Sequence, residues 1–197
     1  MQADTTICNL ALGHLKITET IANVLTEDSV VARQCRLHWT PVLREVLRAY
    51  PWRFATKRWS LGGPSDSDKP VFRWDYAYKL PEECLRIIKV YGADQREMDG
   101  DGSWAKEGNC VVSNEEGPLY LKGVQLIEDA NLFDDSFINA LGFRLAAQIA
   151  PGVGESKQQG PMLNTFRELV NSGQSIDSSE AAPPKKKTGG WSGAYRR

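Results

Sequence analysis

Few residues in this 197-residue chain are of a type and spacing suited to chemistry. Its two histidines, His14 and His38, fall on separate helical segments, where a solitary imidazole is ordinarily structural. There is neither a His-x-x-x-His nor a Cys-x-x-Cys pair, so the spacing makes no provision for zinc. Gly100-Asp101-Gly102-Ser103 has loop-forming glycines. It lacks the lysine and following helix of a phosphate loop, however, and it does not complete a calcium loop, so a plain turn is expected. Glu82-Glu83 and Glu115-Glu116 are adjacent pairs. Neighbours on a strand point to opposite faces, so neither pair makes a two-carboxylate acid–base site by itself. No catalytic residue, metal ligand or cofactor is assigned, and the expectation is a protein that is not an enzyme.

The remaining chemistry is that of contact. Net charge is -1, but the charges are segregated. Arg33, Arg36, Arg44, Arg48, Arg53, Lys57 and Arg58 stand against the single acid Glu45, whereas Asp99 to Asp135 holds nine acids against Lys106 and Lys122. Such blocks favour complementary surfaces within one molecule or between copies. The group Arg33, Arg36, Arg44 and Arg48 has three readings: a solvated face, a partner for the acidic segment, or a contact to nucleic-acid phosphates. Base-specific readout is not expected, because no helix-turn-helix, zinc-finger or RNA-recognition signature is present. Of the six tryptophans, Trp39, Trp52, Trp59 and Trp74 are expected to staple helices to sheet. Trp104, in a Gly/Asp-rich stretch, and Trp191, near the C-terminus, are candidates for docking.

These residues need elements to position them. Hydrophobic content of 41% is enough for one folded domain. Asp4-Thr5-Thr6 opens a helix over about residues 3–15. A second helix, about 27–50, opens on Thr26-Glu27-Asp28, whose acids suit the helix dipole. Val31, Cys35, Trp39, Val42, Leu43, Val46, Leu47 and Tyr50 share an arc of about 160° on it, with the arginines opposite. Pro41 predicts a kink or break there. Residues 52–124 read as an inserted antiparallel sheet, with strands in "WRFATKRWSL", "VFRWDYAYKLP", "CLRIIKVYG", "NCVVS" and "PLYLKGV". Phe137, Leu141, Leu145 and Ile149 predict a helix over about 133–150, and a last helix is expected over about 161–172. The fold class is α+β, mainly α: a small helical bundle with an inserted antiparallel sheet and an extended C-terminal tail. Residues 1–172 form the domain, and 173–197 a linker and basic, aromatic arm.

Cys8, Cys35, Cys84 and Cys110 are far apart, with Cys8 and Cys35 among apolar residues, so reduced structural thiols are expected. The N-terminus has no signal-peptide pattern, and no apolar run reaches about 18 residues, so no membrane partner is expected.

The order of these stretches resembles a known family. "NLALGHLKI" followed by "ARQCRLHWTPVLREVLRAYPWRFAT" is similar to the opening of the tail tubular protein A family of head-to-tail adaptors from tailed bacteriophages. Trp52-Arg53-Phe54-Ala55 matches its aromatic turn, "YAYKLPEECLRIIKVYG" its Tyr-x-Leu-Pro strand, and "FINALGFRLAAQIAP" its returning helix. The resemblance covers roughly residues 5–172, and it departs at Pro161 and in "GADQREMDGDGSWAKEGN". It implies a structural connector in the virion, at the head–tail interface, assembled in the host cytoplasm. About twelve copies would form a ring beneath the portal protein, prolong the DNA channel and carry the tail nozzle or tube proteins. Contact with the passing double-stranded DNA would be transient and sequence-independent. Alternatives are a head-completion protein of a long-tailed phage and a small nucleic-acid-binding regulator.

Within this reading, Arg33, Arg36, Arg44 and Arg48 are assigned to subunit or channel contacts, and Trp104 to tail-side docking. The terminal stretch "PPKKKTGGWSGAYRR" is assigned to the portal: Lys185, Lys186 and Lys187 steer it, Trp191 and Tyr195 fill apolar pockets, and Arg196 and Arg197 pair with carboxylates.

Overall fold

The computed structural model describes residues 3–99 and 102–179, with side chains through residue 172. Helix α1 spans Thr5–His14. Asp4 caps it by accepting a 2.9 Å hydrogen bond from the Ile7 amide, which satisfies one of the donors left free at a helix start. The connection that follows is clipped to α1 through Asn9, whose side-chain amide donates to the Ile21 carbonyl at 2.9 Å and accepts from the Ile21 amide at 2.8 Å.

Helix α2 spans Val30–Ala49 and starts later than its acidic residues suggest. Ser29 is the cap, while Glu27 accepts from the Ala22 amide and the Ser29 hydroxyl. That use of Glu27 closes the preceding turn and keeps its carboxylate out of the helix. Val31, Cys35, Trp39, Val42, Leu43, Val46 and Leu47 are buried along one face, as their spacing requires. The helix runs unbroken through Pro41. Pro41 and Leu37 are both exposed, so the carbonyl that loses its intrahelical donor lies on the solvent side, where water can replace it.

Helix α3 spans Asp135–Ile149 and is capped by Asp134, which accepts from the Phe137 amide at 2.6 Å. Phe137, Leu141, Leu145 and Ile149 are completely buried. Phe137 meets Phe133 at 4.7 Å, Phe54 at 5.0 Å and Trp52 at 5.2 Å between ring centroids. These edge-on rings join the turn after α2 to the return of the chain into the bundle. Helix α4 spans Gln159–Ser179, well beyond residue 172. Pro161 lies in its first turn, where a missing N–H removes no intrahelical bond, so it does not shorten the helix.

The insertion forms two antiparallel sheets in place of one. Strands β1 (Thr56–Ser60), β6 (Tyr120–Gln125) and β3 (Cys84–Tyr91) pair in that order. Strands β2 (Tyr76–Lys79), β5 (Cys110–Ser113) and β4 (Trp104–Glu107) make the second sheet. Residues before Thr56 and before Tyr76 are turns and bends, which shortens both expected strands. Leu61, Tyr78, Leu80, Val90, Val111, Leu119 and Leu121 form the core between the sheets. Strand β3 shifts register between Cys84 and Arg86 and again between Ile87 and Lys89. At these two irregularities Leu85 and Ile88 turn toward the helical core, where Val124 also packs.

Candidate interaction surfaces

The four arginines of α2 do not form one free patch. Arg36 donates to the Glu27 carbonyl at 2.8 Å and to the Val24 carbonyl. Arg48 donates to the Leu85 carbonyl at 2.9 Å, across the seam between helices and sheet. Arg33 pairs with Asp28 at 3.0 Å, with both side chains largely exposed. Arg44 is exposed and has no hydrogen bond or ion pair to another described residue. The face therefore pairs with its own turn and with β3 backbone, and Arg44 alone is left uncommitted. The acid within this block, Glu45, takes a two-point salt bridge from Arg144 of α3, at 2.8 and 2.9 Å. Arg144 is 99 positions away, so no local pattern marked the pairing.

Trp104 opens strand β4 opposite Ser113 and is half-buried against the core between the sheets. Its indole nitrogen is enclosed and has no hydrogen-bond partner among the described residues. Of the four tryptophans expected to join helices to sheet, Trp39 and Trp52 pack in the helical core, whereas Trp59 packs between the two sheets and Trp74 against Ala77, Cys110 and Val112 of the second sheet, so these last two staple strands and not helices. Trp52 donates to the Val46 carbonyl, and Trp59 donates to Glu83, which also takes an ion pair from Lys57. These donors hold the Glu83 carboxyl below its ordinary range. His14 stacks on Phe143 at 3.7 Å, and burial lowers its basicity, the behaviour of a structural imidazole. The four cysteines are free thiols. The hydrogen bond that Cys8 donates to Cys35, and then burial, push the Cys8 thiol upward, so that it stays protonated and unreactive. Among the described residues, no group of three or more His, Cys, Asp or Glu side chains converges as a metal site would require. No helix among them is long and apolar enough to cross a membrane.

Two features went unmarked in the sequence. Strand register places Arg58 opposite Lys122, and Lys122 opposite Lys89, so three cations lie in one row across the first sheet. Like charges directly opposed on a sheet repel one another. Lys89 is relieved by an ion pair with Glu97, which raises its basicity, while Arg58 and Lys122 have no partner among the described residues. Two rows further along, Ser60, Tyr120 and Tyr91 border a concavity of about 420 Å3, lined also by Arg58, Trp59, Gln95 and Leu121. The second feature is the loop between β1 and β2, where Val71 is 99% and Phe72 82% exposed. Hydrophobicity there suggested a strand; only the backbone course shows that these side chains stand in solvent.

The portal-directed residues Lys185, Lys186, Lys187, Trp191, Tyr195, Arg196 and Arg197 lie outside the described residues. Comparison with protein-family models and with curated proteins finds no match.

Proposed function

We propose that this chain is a structural head-to-tail connector of a tailed bacteriophage, one of about twelve copies in a ring beneath the portal protein. The ring extends the DNA channel and offers the platform on which tail nozzle or tube proteins attach, so the chain acts in the virion at the head–tail interface. The observation that carries this reading is the apolar surface left in solvent: Val71, Phe72, Leu37 at 66% and Leu132 at 58% exposure. Val71 and Phe72, adjacent and nearly fully exposed, are apolar surface available for burial against a neighbouring subunit, which supports this reading. The order of the motifs from Asn9 to Pro151 supports the same reading, as does a β module inserted between α2 and α3 of a helical bundle. The basic, aromatic segment after Pro183 is the portal-binding arm, and α4 leads toward it.

Arg58 and Lys122, adjacent cations without a partner among the described residues, favour a second reading, a nucleic-acid-binding regulator. Sedimentation of the purified chain with and without a phage portal protein separates the two. A connector assembles on the portal and shifts DNA weakly. A regulator ignores the portal and binds DNA with a steep salt dependence.

A further inference from the structure

We infer that the Val71–Phe72 loop of one copy of this chain seats in the aromatic concavity on the first sheet of the next copy, in a head-to-tail contact. The inference rests on the connector reading, which brings many copies side by side.

The loop is built to hold its tip outward. At its start the Ser65 amide donates to the Ala77 carbonyl at 2.8 Å, and the hydroxyls of Ser65 and Ser67 donate to Asp68. At its end Trp74 is buried with Ala77, Cys110 and Val112, and the Arg73 guanidinium lies 5.2 Å from its ring centroid. Between them Arg73 adopts φ 71°, a left-handed conformation that a non-glycine residue takes only under constraint. That turn sends Trp74 inward and leaves Phe72 outside.

The concavity offers the complementary chemistry. Trp59, Tyr91 and Tyr120 supply aromatic walls to a volume of about 420 Å3, room for a phenylalanine and its neighbour, and Arg58 lines it beside them. Arg58 and Lys122, which have no partner among the described residues, bring positive charge to the same sheet. The loop carries Asp66 and Asp68 before its tip and Asp75 after it, three acids against its own two cations, Lys69 and Arg73. Phe72 is 82% exposed on its own chain, so it does not fill the concavity from within. A nucleic-acid strand would account for the cation row and leave Val71 and Phe72 unexplained. A second copy accounts for both. Because the two patches differ, the contact is heterologous and repeats into a ring or a filament.

The test is sedimentation velocity of the full chain, with and without the portal protein. Phe72→Ser removes the tip, and Arg58→Glu with Lys122→Glu reverses the rim; both changes lie at solvent-accessible positions. Each variant alone is expected to self-associate roughly thirtyfold more weakly than wild type, while Phe72→Leu retains association. Mixing the two defective variants is expected to give a dimer and nothing larger, since one intact loop then meets one intact concavity. The contact is overturned if the variants assemble like wild type, if their mixture gives no dimer, or if the charge reversal abolishes only DNA binding. It is also overturned if wild type forms no contact between copies under either condition. Failure of the connector reading has its own signature, absence of wild-type binding to the portal. Portal-bound rings formed equally by Phe72→Ser would sink the contact alone.

Discussion

Arg48 and Arg86 exchange hydrogen bonds across the seam between the helical bundle and the first sheet. The Arg48 guanidinium donates to the Leu85 carbonyl at 2.9 Å, and the Arg86 guanidinium donates to the Arg48 carbonyl at 3.0 Å. Each arginine thereby satisfies backbone that its neighbour's element leaves open: Arg86 takes a carbonyl at the end of α2, and Arg48 one beside the first irregularity of β3. Positive charge at a helix C-terminus also suits the dipole. The pair adds to the seam already packed through Leu85, Val124 and Trp52.

Removing either guanidinium should loosen that joint. Arg48→Ala or Arg86→Ala is expected to lower stability by about 1 kcal/mol, the lower end for charged hydrogen bonds because both side chains are exposed. The double variant should cost less than the sum, because either loss frees the geometry on which the other depends. Urea unfolding of the two single variants and the double variant measures this. Strict additivity would show that the two arginines act independently.

Gly123 marks a place where two backbones meet. A Cβ there would lie 2.6 Å from the Arg86 carbonyl oxygen and 3.1 Å from the Trp59 ring. Gly123→Ala is expected to destabilise by about 2 kcal/mol, because the obstructing atom is backbone held by strand pairing. The same denaturation assay reads it, and an unchanged midpoint would mean that β3 and β6 can separate at no cost.

Glu83 should give the fold a distinct pH dependence. Hydrogen bonds from Lys57 and from the Trp59 indole depress its folded-state pKa below the unfolded value. Its contribution is therefore fully present above the ordinary carboxylate pKa and is lost as pH falls through the depressed value. The stability gap between wild type and Glu83→Gln should be widest at neutral pH and shrink on acidification. A gap that persists in strong acid would assign the effect to packing.

Truncation before Pro183 should leave the fold intact, because the helical core ends with residues of α4 such as Phe166, Leu169 and Val170. The truncated chain is expected to melt like the full chain and to lose assembly on the portal. Assembly at full strength without the arm would place portal recognition elsewhere.

Much of this molecule was legible in one dimension, and the legible part has a common cause. The apolar face of α2, the ladder of α3 and the cap at Asp4 depend on residues within about four positions of each other, so a local pattern reports them. Pro41 and Pro161 were harder to read. The effect of a proline depends on whether its missing donor falls on the wet side or in the first turn, and composition does not say which. The start of α2 moved for a similar reason, since Glu27 serves the preceding turn instead of the helix.

Contacts between distant residues belong to the tertiary structure alone. Glu45 finds Arg144, and Arg48 finds Leu85 and Arg86, only once the sheet has packed on the bundle. The row of Arg58, Lys122 and Lys89 exists only because β6 pairs with both β1 and β3, and a shift of one residue in register would disperse it. By itself the sequence determined that the chain makes amphipathic helices around an inserted sheet, because periodicity is local. Only the fold decided which charges are consumed internally and which apolar side chains remain for a partner, because that depends on pairing energies between segments far apart in the chain.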